Sequence, residues 1–271
     1  MPAEDTRLKI LAPVDTLPGP MDRTEPRRAI VVGASSGIGA ALASSLARAG
    51  YDTALVARSQ DKLADLCEAI RSSGAPGVPH AYVHDVRAYG EVPALFERIV
   101  EDLHGLDAIL YVAGVMPEVG PDEFDLDKDR SIVETNLIGA MAWLNEAARW
   151  LSVAGRGSLV GISSMAGERG RRAAPAYGAS KAGLNTYLES LRNRLSVLGV
   201  HVLTVKPGFV RTAMLDGRSG AFWVSEPEAA AAQILRAMER GSREIFVSPR
   251  WRLVSWIVRA IPSFLFRRLG I

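Results

Sequence analysis

The run Tyr177-Gly178-Ala179-Ser180-Lys181 places a phenol and an ammonium four residues apart, with the hydroxyl of Ser164 thirteen residues upstream. Side chains at this spacing lie on the same face of a helix. A neighbouring ammonium favours the phenolate, so such a tyrosine can give and take a proton near neutral pH. A hydroxyl from a separate segment can hold a carbonyl oxygen beside it. These groups suit ketone reduction or alcohol oxidation, provided that the chain also supplies a hydride carrier.

The composition restricts the class of protein and the kinds of site. The chain has 271 residues, of which 48% are hydrophobic and 23% charged, and its formal net charge is +2. These values are typical of a globular protein and argue against a nucleic-acid partner. The single cysteine, Cys67, excludes an internal disulfide and suits a buried thiol in the reducing cytoplasm. The four histidines lack ligand spacing, so we expect no metal site.

The two ends of the chain differ from its centre. Residues 1–27 contain several prolines and mixed charges without a long apolar run, so we expect a flexible extension and no signal peptide. No apolar stretch is long enough to cross a bilayer. Residues 28–248 form one candidate domain, and residues 249–271 form a basic, apolar tail.

Short apolar runs alternate with helical patterns throughout the candidate domain. Strands are predicted at 29–32, 52–56, 81–83, 108–112, 157–163, 200–205 and 244–247. Helices are predicted from the first loop to Gly50 and at 60–72, 91–104, 130–152, 175–198 and 227–240. Such alternation produces a parallel sheet with helices on both faces. The predicted fold class is therefore α/β, a single doubly wound sheet of the Rossmann type.

A glycine-rich loop, Gly33-Ala34-Ser35-Ser36-Gly37-Ile38-Gly39, separates the first predicted strand from the first helix. Glycines here let the backbone approach a pyrophosphate, whose charge the helix N-terminus attracts. The spacing is G-x-x-x-G-x-G rather than G-x-G-x-x-G. The alternative is a connection that only packs strand on helix, but its place after the first strand favours a dinucleotide site.

The second predicted strand ends at Arg58, without the carboxylate that would bind the ribose 2′-hydroxyl of NAD. An arginine can instead bind a 2′-phosphate through charge-assisted hydrogen bonds. The sequence therefore favours NADP(H) over NAD(H). The alternative is a solvated arginine at a strand end.

The glycine loop, Ser164, Tyr177 and Lys181 together resemble the short-chain dehydrogenase/reductase superfamily. The resemblance covers about residues 28–248. It implies a catalytic set of Asn136, Ser164, Tyr177 and Lys181. It also implies that the cofactor contacts the glycine loop, Arg58 and the following positions: Asp85, Val86, Ala113, Gly114, Tyr177, Lys181, Pro207, Gly208, Val210 and Thr212.

The resemblance implies a role for each catalytic residue. Lys181, helped by the positive nicotinamide of the oxidised cofactor, would lower the pKa of Tyr177. Ser164 would bind the substrate oxygen, and Tyr177 would protonate it as hydride arrives. Asn136 would kink its helix and hold a water that leads to Lys181.

The fourth strand departs from the family pattern. It ends Tyr111-Val112-Ala113-Gly114, where most relatives carry two asparagines before Ala-Gly. The asparagine side chains that tie this strand to its neighbours are absent, so we expect weaker local stability and cofactor binding. Val32 stands where a threonine is usual, which is a smaller loss.

Two further features concern the substrate. Arg169, Arg171 and Arg172 lie between Ser164 and Tyr177 and could receive an anion, although a solvated basic loop is the alternative. In the tail, Arg252, Ser255 and Arg259 form a polar stripe at helical spacing. Tryptophan and aliphatic residues cover the rest, which suits a membrane interface. The alternative is packing on the protein's own core or on a subunit.

Within the superfamily, residues 163–184 and 261–269 resemble reductases of a 2-keto sugar carried on a polyprenyl phosphate. The resulting expectation is a ketone reductase for a lipophilic or lipid-linked substrate, acting in the cytoplasm or at the inner face of the membrane. Alternatives are a soluble reductase of 3-oxoacyl, steroid or xenobiotic ketones, and a non-catalytic NADP-binding regulator. Relatives commonly pair through the helices matching 130–152 and 175–198, so a homodimer or homotetramer is expected.

Overall fold

The computed structural model describes residues 26–120, 122–215 and 220–269. The extension is predicted for residues 1–27, and its residues 1–25 lie outside the described residues. Within the described ranges, seven parallel strands form one sheet in the order β3-β2-β1-β4-β5-β6-β7. The strands are β1 (Arg27–Val32), β2 (Tyr51–Ala57), β3 (Pro79–Val83), β4 (Ala108–Tyr111), β5 (Ser158–Ile162), β6 (His201–Pro207) and β7 (Glu244–Val247).

Helices cover both faces of the sheet, as buried parallel strands require. They are α1 (Gly37–Arg48), α2 (Gln60–Ser72), α3 (Val92–Asp102), α4 (Leu126–Val133), α5 (Gly139–Ala154), α6 (Pro175–Leu195), α7 (Pro227–Glu239), α8 (Arg250–Ala260) and α9 (Ser263–Phe266). Helices α1, α2 and α7 share one apolar core with Ala29 and Val31 of β1. Helices α3, α5 and α6 share another with Ile30 and Val32. The predicted α/β, doubly wound fold is confirmed.

The helix predicted at 130–152 begins earlier and is not uniform. The Asp125 side chain accepts hydrogen bonds from the backbone amides of Asp127 and Lys128, so the helix starts at Leu126. Between α4 and α5, residues Glu134–Ile138 form a π-helical turn. Such turns reorient side chains and occur often at functional sites.

The strand order reverses between β1 and β4. The chain runs outward from β1 through β2 to β3, then returns to the other side of β1 at β4. Ligands of doubly wound folds bind at the carboxyl ends of the strands, in the crevice at this reversal. The glycine loop after β1 and the Ala113–Gly114 segment after β4 both lie there.

Candidate active site

The glycine loop is shaped to let backbone, rather than side chains, face a ligand. Gly33 has a φ of +94°, and a Cβ there would lie 2.5 Å from the backbone nitrogen of Ala113. A Cβ on Gly39 would lie 2.0 Å from the carbonyl oxygen of Gly33. Ser36 precedes α1 but makes no capping hydrogen bond with its side chain. The first amides of α1 are therefore free to bind a pyrophosphate, and these residues fit a dinucleotide.

Two arginines and one carboxylate lie where the adenosine half of the cofactor is expected. Arg58 is exposed directly after β2, and Asp85 follows β3. Hydrogen bonds from Arg87, at 2.9 Å for the shortest, hold the pKa of Asp85 below its ordinary value despite partial burial. The positive charge of Arg58 adds to this effect, which puts Arg58 near Asp85. The strand end is thus positively charged overall, in contrast with the acidic end that a ribose hydroxyl prefers.

Tyr177 and Lys181 are both buried on α6. The Lys181 Nζ lies 5.8 Å from the centroid of the Tyr177 ring and donates a hydrogen bond of 2.8 Å to the carbonyl oxygen of Ile162. Burial lowers the pKa of Lys181 to about 8. The ammonium is therefore fixed at the end of β5, where its proton can be released near neutral pH.

The two serines after β5 have different surroundings. Ser163 is buried, and its hydroxyl donates to the carbonyl oxygen of Lys181 at 3.1 Å, which ties β5 to α6. Ser164 is half-buried and accepts a hydrogen bond from the amide of Ala166 at 3.0 Å. That bond leaves the hydroxyl proton of Ser164 available to a substrate oxygen.

Asn136 lies in the π-helical turn and is fully buried. Its amide nitrogen donates to the carbonyl oxygen of Val115 at 3.0 Å and to the Ser180 hydroxyl at 3.2 Å. Its amide oxygen accepts from the Val115 backbone nitrogen at 2.8 Å. A Cβ on Gly114 would lie 3.3 Å from that oxygen and 3.5 Å from the Lys181 Nζ. The absence of a side chain at Gly114 therefore leaves space between Asn136 and Lys181.

The Pro-Gly segment after β6 returns to the glycine loop. Pro207 ends β6, and Val210 is buried. A Cβ on Gly37 would lie 2.7 Å from the Thr212 Cγ2, so the two loops face each other closely. The segments predicted to hold the two halves of a dinucleotide thus meet at one edge of the sheet.

Tyr111 connects β4 to the neighbouring helix. Its side chain is fully buried, and its hydroxyl donates to the carbonyl oxygen of Thr135 at 2.6 Å. Burial raises the pKa of Tyr111, so the donor stays protonated. The π-helical turn disturbs the regular hydrogen bonding of its helix, and Tyr111 ties this turn to the sheet. This contact lies at the strand where weaker local stability is expected, and the sequence motif did not reveal it.

We expect Tyr111→Phe to lower the free energy of unfolding by about 1–3 kcal/mol, because the buried carbonyl of Thr135 loses its donor. Urea denaturation measures this change. Tyr89→Phe, at an exposed tyrosine, is the matched control and should change stability by less than about 0.5 kcal/mol. Equal stability of the Tyr111→Phe variant and the wild type would contradict the proposed tie.

The three arginines between Ser164 and Tyr177 do not act as one group. Arg169 donates hydrogen bonds to the carbonyl oxygens of Val258 and Ile261, at 2.6 and 2.5 Å, so it binds the C-terminal segment. Its prediction as part of an anion-binding mouth is therefore wrong. Arg171 and Arg172 are exposed.

A buried ion pair at the turn formed by Met165–Glu168 was not predicted from the sequence. Lys206, in β6, lies 2.8 Å from Glu168, and their side chains are 7% and 4% exposed. Burial raises the pKa of Glu168, but hydrogen bonds from Lys206 and Ser255 outweigh it, so the pKa lies below its ordinary value. A lysine within the apolar run of β6 was the available signal, because a buried ammonium needs a carboxylate partner.

Known proteins are similar to this chain over most of its length. The family described as short chain dehydrogenase matches residues 27–220. An uncharacterised oxidoreductase of Mycobacterium tuberculosis is 34% identical over 249 residues, covering 92% of this chain and 99% of the relative. A ketoacyl reductase of Nostoc is 30% identical over 224 residues, covering 81% of this chain and 77% of the relative.

A solved short-chain type dehydrogenase/reductase from Mycobacterium ulcerans has a similar structure. Its TM-score is 0.77 at 26% identity, covering 90% of this chain and 98% of that one. The chain therefore belongs to the short-chain dehydrogenase/reductase family and is an NAD(P)-dependent oxidoreductase.

Proposed function

We propose that this protein is an NADPH-dependent reductase of a lipophilic ketone, with Tyr177 as the proton donor. The observation that supports it most directly is the pairing of Tyr177 and Lys181, both buried on one face of α6 beside the glycine crevice. The nicotinamide, when bound, supplies or accepts the hydride. Every other step falls to the chain's own side chains.

Each catalytic residue has a distinct task in this proposal. The Ser164 hydroxyl donates to the carbonyl oxygen of the substrate, and the Tyr177 hydroxyl transfers its proton to the same oxygen. The Lys181 ammonium stabilises the phenolate that remains. Asn136 acts as a positioning residue. Its side-chain amide forms hydrogen bonds with the Val115 backbone and the Ser180 hydroxyl, which fix the π-helical turn next to Lys181.

The test of the reaction is turnover of a ketone panel with NADPH and NADH. The panel contains short ketones, a 3-oxoacyl thioester, a steroid ketone and a keto sugar linked to a polyprenyl phosphate. Oxidation of the nicotinamide with formation of the alcohol supports the proposal. Tight NADPH binding without turnover of any ketone or alcohol would instead favour a non-catalytic regulator.

The preference for NADPH rests on Arg58, which stands at the end of β2 where a carboxylate would select NADH. We expect Arg58→Ala to raise the KM for NADPH by about 10- to 100-fold, since a charge-assisted pair is lost. The KM for NADH should change little. Steady-state kinetics with both cofactors measures this, and Arg240→Ala, at the exposed end of α7, is the control. An equal effect on both cofactors would contradict the assignment.

An aromatic cluster beside the Pro-Gly segment supports a lipophilic substrate. Phe209, Phe222, Trp223 and Trp251 form it, with ring centroids 5.1–5.9 Å apart. Phe222 and Trp223 are about half exposed, so they offer an apolar surface next to the segment expected to hold the nicotinamide.

Arg171 is the proposed partner of an anionic group on the substrate. It is exposed, yet it lies close enough to Tyr177 to interact with it electrostatically. This supports a lipid-linked keto sugar phosphate within the wider class of lipophilic ketones. The second candidate is reduction of a 3-oxoacyl chain, which the name of the Nostoc relative favours. The ratio of kcat/KM values for these two substrates decides between them.

A further inference from the structure

The polar stripe of α8 lies on the side of the helix that contacts the rest of the protein. Ser255 is buried, and its hydroxyl donates to the Glu168 carboxylate at 2.7 Å. Arg259 lies 3.6 Å from the same carboxylate. Arg252 lies 6.0 Å from the ring centroid of Phe246 in β7. All three polar residues of the stripe therefore contact the protein, and the two arginines also remain exposed to solvent.

The C-terminal end of α8 is contacted by the Arg169 side chain. Besides its two bonds to the carbonyl oxygens of Val258 and Ile261, the Arg169 guanidinium lies 4.1 Å above the ring of Phe266 in α9. These contacts cap the C-terminus of α8 and fix α9 beside it. The turn that follows Ser164 thus contributes to the orientation of both helices, together with the buried Trp251 of α8.

This orientation turns the apolar side of the two helices outward. Leu253, Trp256 and Ile257 of α8 are 61%, 66% and 54% exposed. Together with three exposed residues of the following segment they form what we call the docking face. The docking face consists of Leu253, Trp256, Ile257, Phe264, Leu265 and Leu269. A surface helix normally buries its apolar side, so this arrangement calls for something that covers it.

The segment that carries the docking face has charges of one sign. Residues 250–271 contain five arginines and neither aspartate nor glutamate. Among the described residues, the only carboxylate that forms an ion pair with one of these arginines is Glu168, which lies 3.6 Å from Arg259. Tryptophan, aliphatic residues and arginines in this arrangement suit the boundary between anionic headgroups and acyl chains. A second copy is a poorer occupant, because a symmetric pair would bring the two sets of arginines together.

We propose that the docking face binds the surface of a bilayer that contains anionic lipid, with α8 and α9 lying in the plane of the interface. Among the described residues, none of the helices has the length and apolar character needed to cross a membrane. Binding to the surface therefore needs only the docking face and the arginines beside it. This inference goes beyond the proposed reaction and does not depend on it.

Vesicle flotation with the full-length protein tests the proposal. We expect the wild type to float with vesicles of phosphatidylcholine and phosphatidylglycerol, and much less with phosphatidylcholine alone. The double variant Trp256→Ser/Ile257→Ser should lose at least about 10-fold in partition, because its apolar contact is removed. Val197→Ser, at an exposed valine remote from α8, is the matched control and should float as the wild type does.

A second variant keeps the test valid if the first one misfolds. Arg267→Gln/Arg268→Gln changes two exposed side chains and should lower partition by about 30-fold at low salt, less at high salt. Reduction of a water-soluble ketone without vesicles should be unchanged in both variants, which separates docking from catalysis.

Three results would overturn the proposal. One is that the wild-type protein floats with neither kind of vesicle. Another is flotation of the Trp256→Ser/Ile257→Ser variant equal to that of the wild type. The third is a wild-type dimer in solution that this variant converts to a monomer, since the docking face would then be an interface between copies of the chain.

Discussion

Tyr177→Phe is expected to lower kcat for ketone reduction by about 10³-fold, because the variant lacks the hydroxyl that protonates the substrate oxygen in the proposed reaction. Loss of one hydroxyl leaves the α6 packing unchanged, and the ring keeps its contacts with Ala166 and Ile132. The Kd for NADPH should therefore change by less than about threefold. Steady-state kinetics and a fluorescence titration of NADPH measure the two effects.

The matched control is Tyr187→Phe on the same helix. The Tyr187 hydroxyl donates to Asn145 at 2.7 Å on the outer side of α6, away from Lys181. Its removal should leave kcat within about twofold of the wild type. A Tyr177→Phe variant that keeps most of its turnover would show that the proton comes from elsewhere, and the catalytic assignment would fail.

Lys181→Met has the second largest expected effect, on turnover and on stability together. We expect kcat to fall by about 10²- to 10³-fold, since the phenolate of Tyr177 loses its neighbouring charge. The same change removes an ammonium that is costly to bury. Burial lowers the pKa of Lys181 from its ordinary value near 10.5 to about 8 in the folded protein.

The pH dependence of stability follows from this difference. Below about pH 8 both states carry the proton on Lys181, and the folded protein bears the full cost of the buried charge. Between about pH 8 and the ordinary pKa, the folded state releases the proton while the unfolded state keeps it. The stability contributed by Lys181 therefore rises with pH across this window.

Urea denaturation of the wild type and Lys181→Met, without cofactor, measures this contribution. From about pH 7 to pH 9.5, the wild type should gain about 2 kcal/mol relative to the variant. Lys62→Met, at an exposed lysine of α2, should show no such trend. A flat difference between wild type and Lys181→Met would mean that Lys181 is hydrated in the folded protein.

The sequence was sufficient where a feature depends on neighbours along the chain. The strand and loop around Gly33 were predicted because apolar runs and glycine spacing are local properties. The positions of Tyr177 and Lys181 on one face of α6 follow from helical periodicity alone. The parallel order of the sheet follows from the alternation of strands and helices.

The contacts that decide the surroundings of the site are remote in sequence. Glu168 and Ser255 are 87 residues apart, and Arg169 reaches Ile261 across 92 residues. Periodicity predicted the polar stripe of α8 correctly but could not tell which side faces the protein, because that depends on a carboxylate from another segment. Likewise, the hydroxyl of Tyr111 could not be paired with Thr135 before the π-helical turn was known.

The junction of Glu168, Lys206 and Ser255 also limits how this protein can evolve. Loss of Glu168 would leave Lys206 with Glu244 as its remaining carboxylate, and loss of Lys206 would leave the buried Glu168 carboxylate with only Ser255 and Arg259 beside it. Removing one charge of such a buried group is costly, whereas exchanging the group for apolar residues together can be neutral. Glu168 ends the turn that follows Ser164, and Ser255 belongs to α8. A substitution at Glu168 is therefore expected to disturb the turn after Ser164 and the seating of α8 together, because one carboxylate belongs to the first and contacts the second.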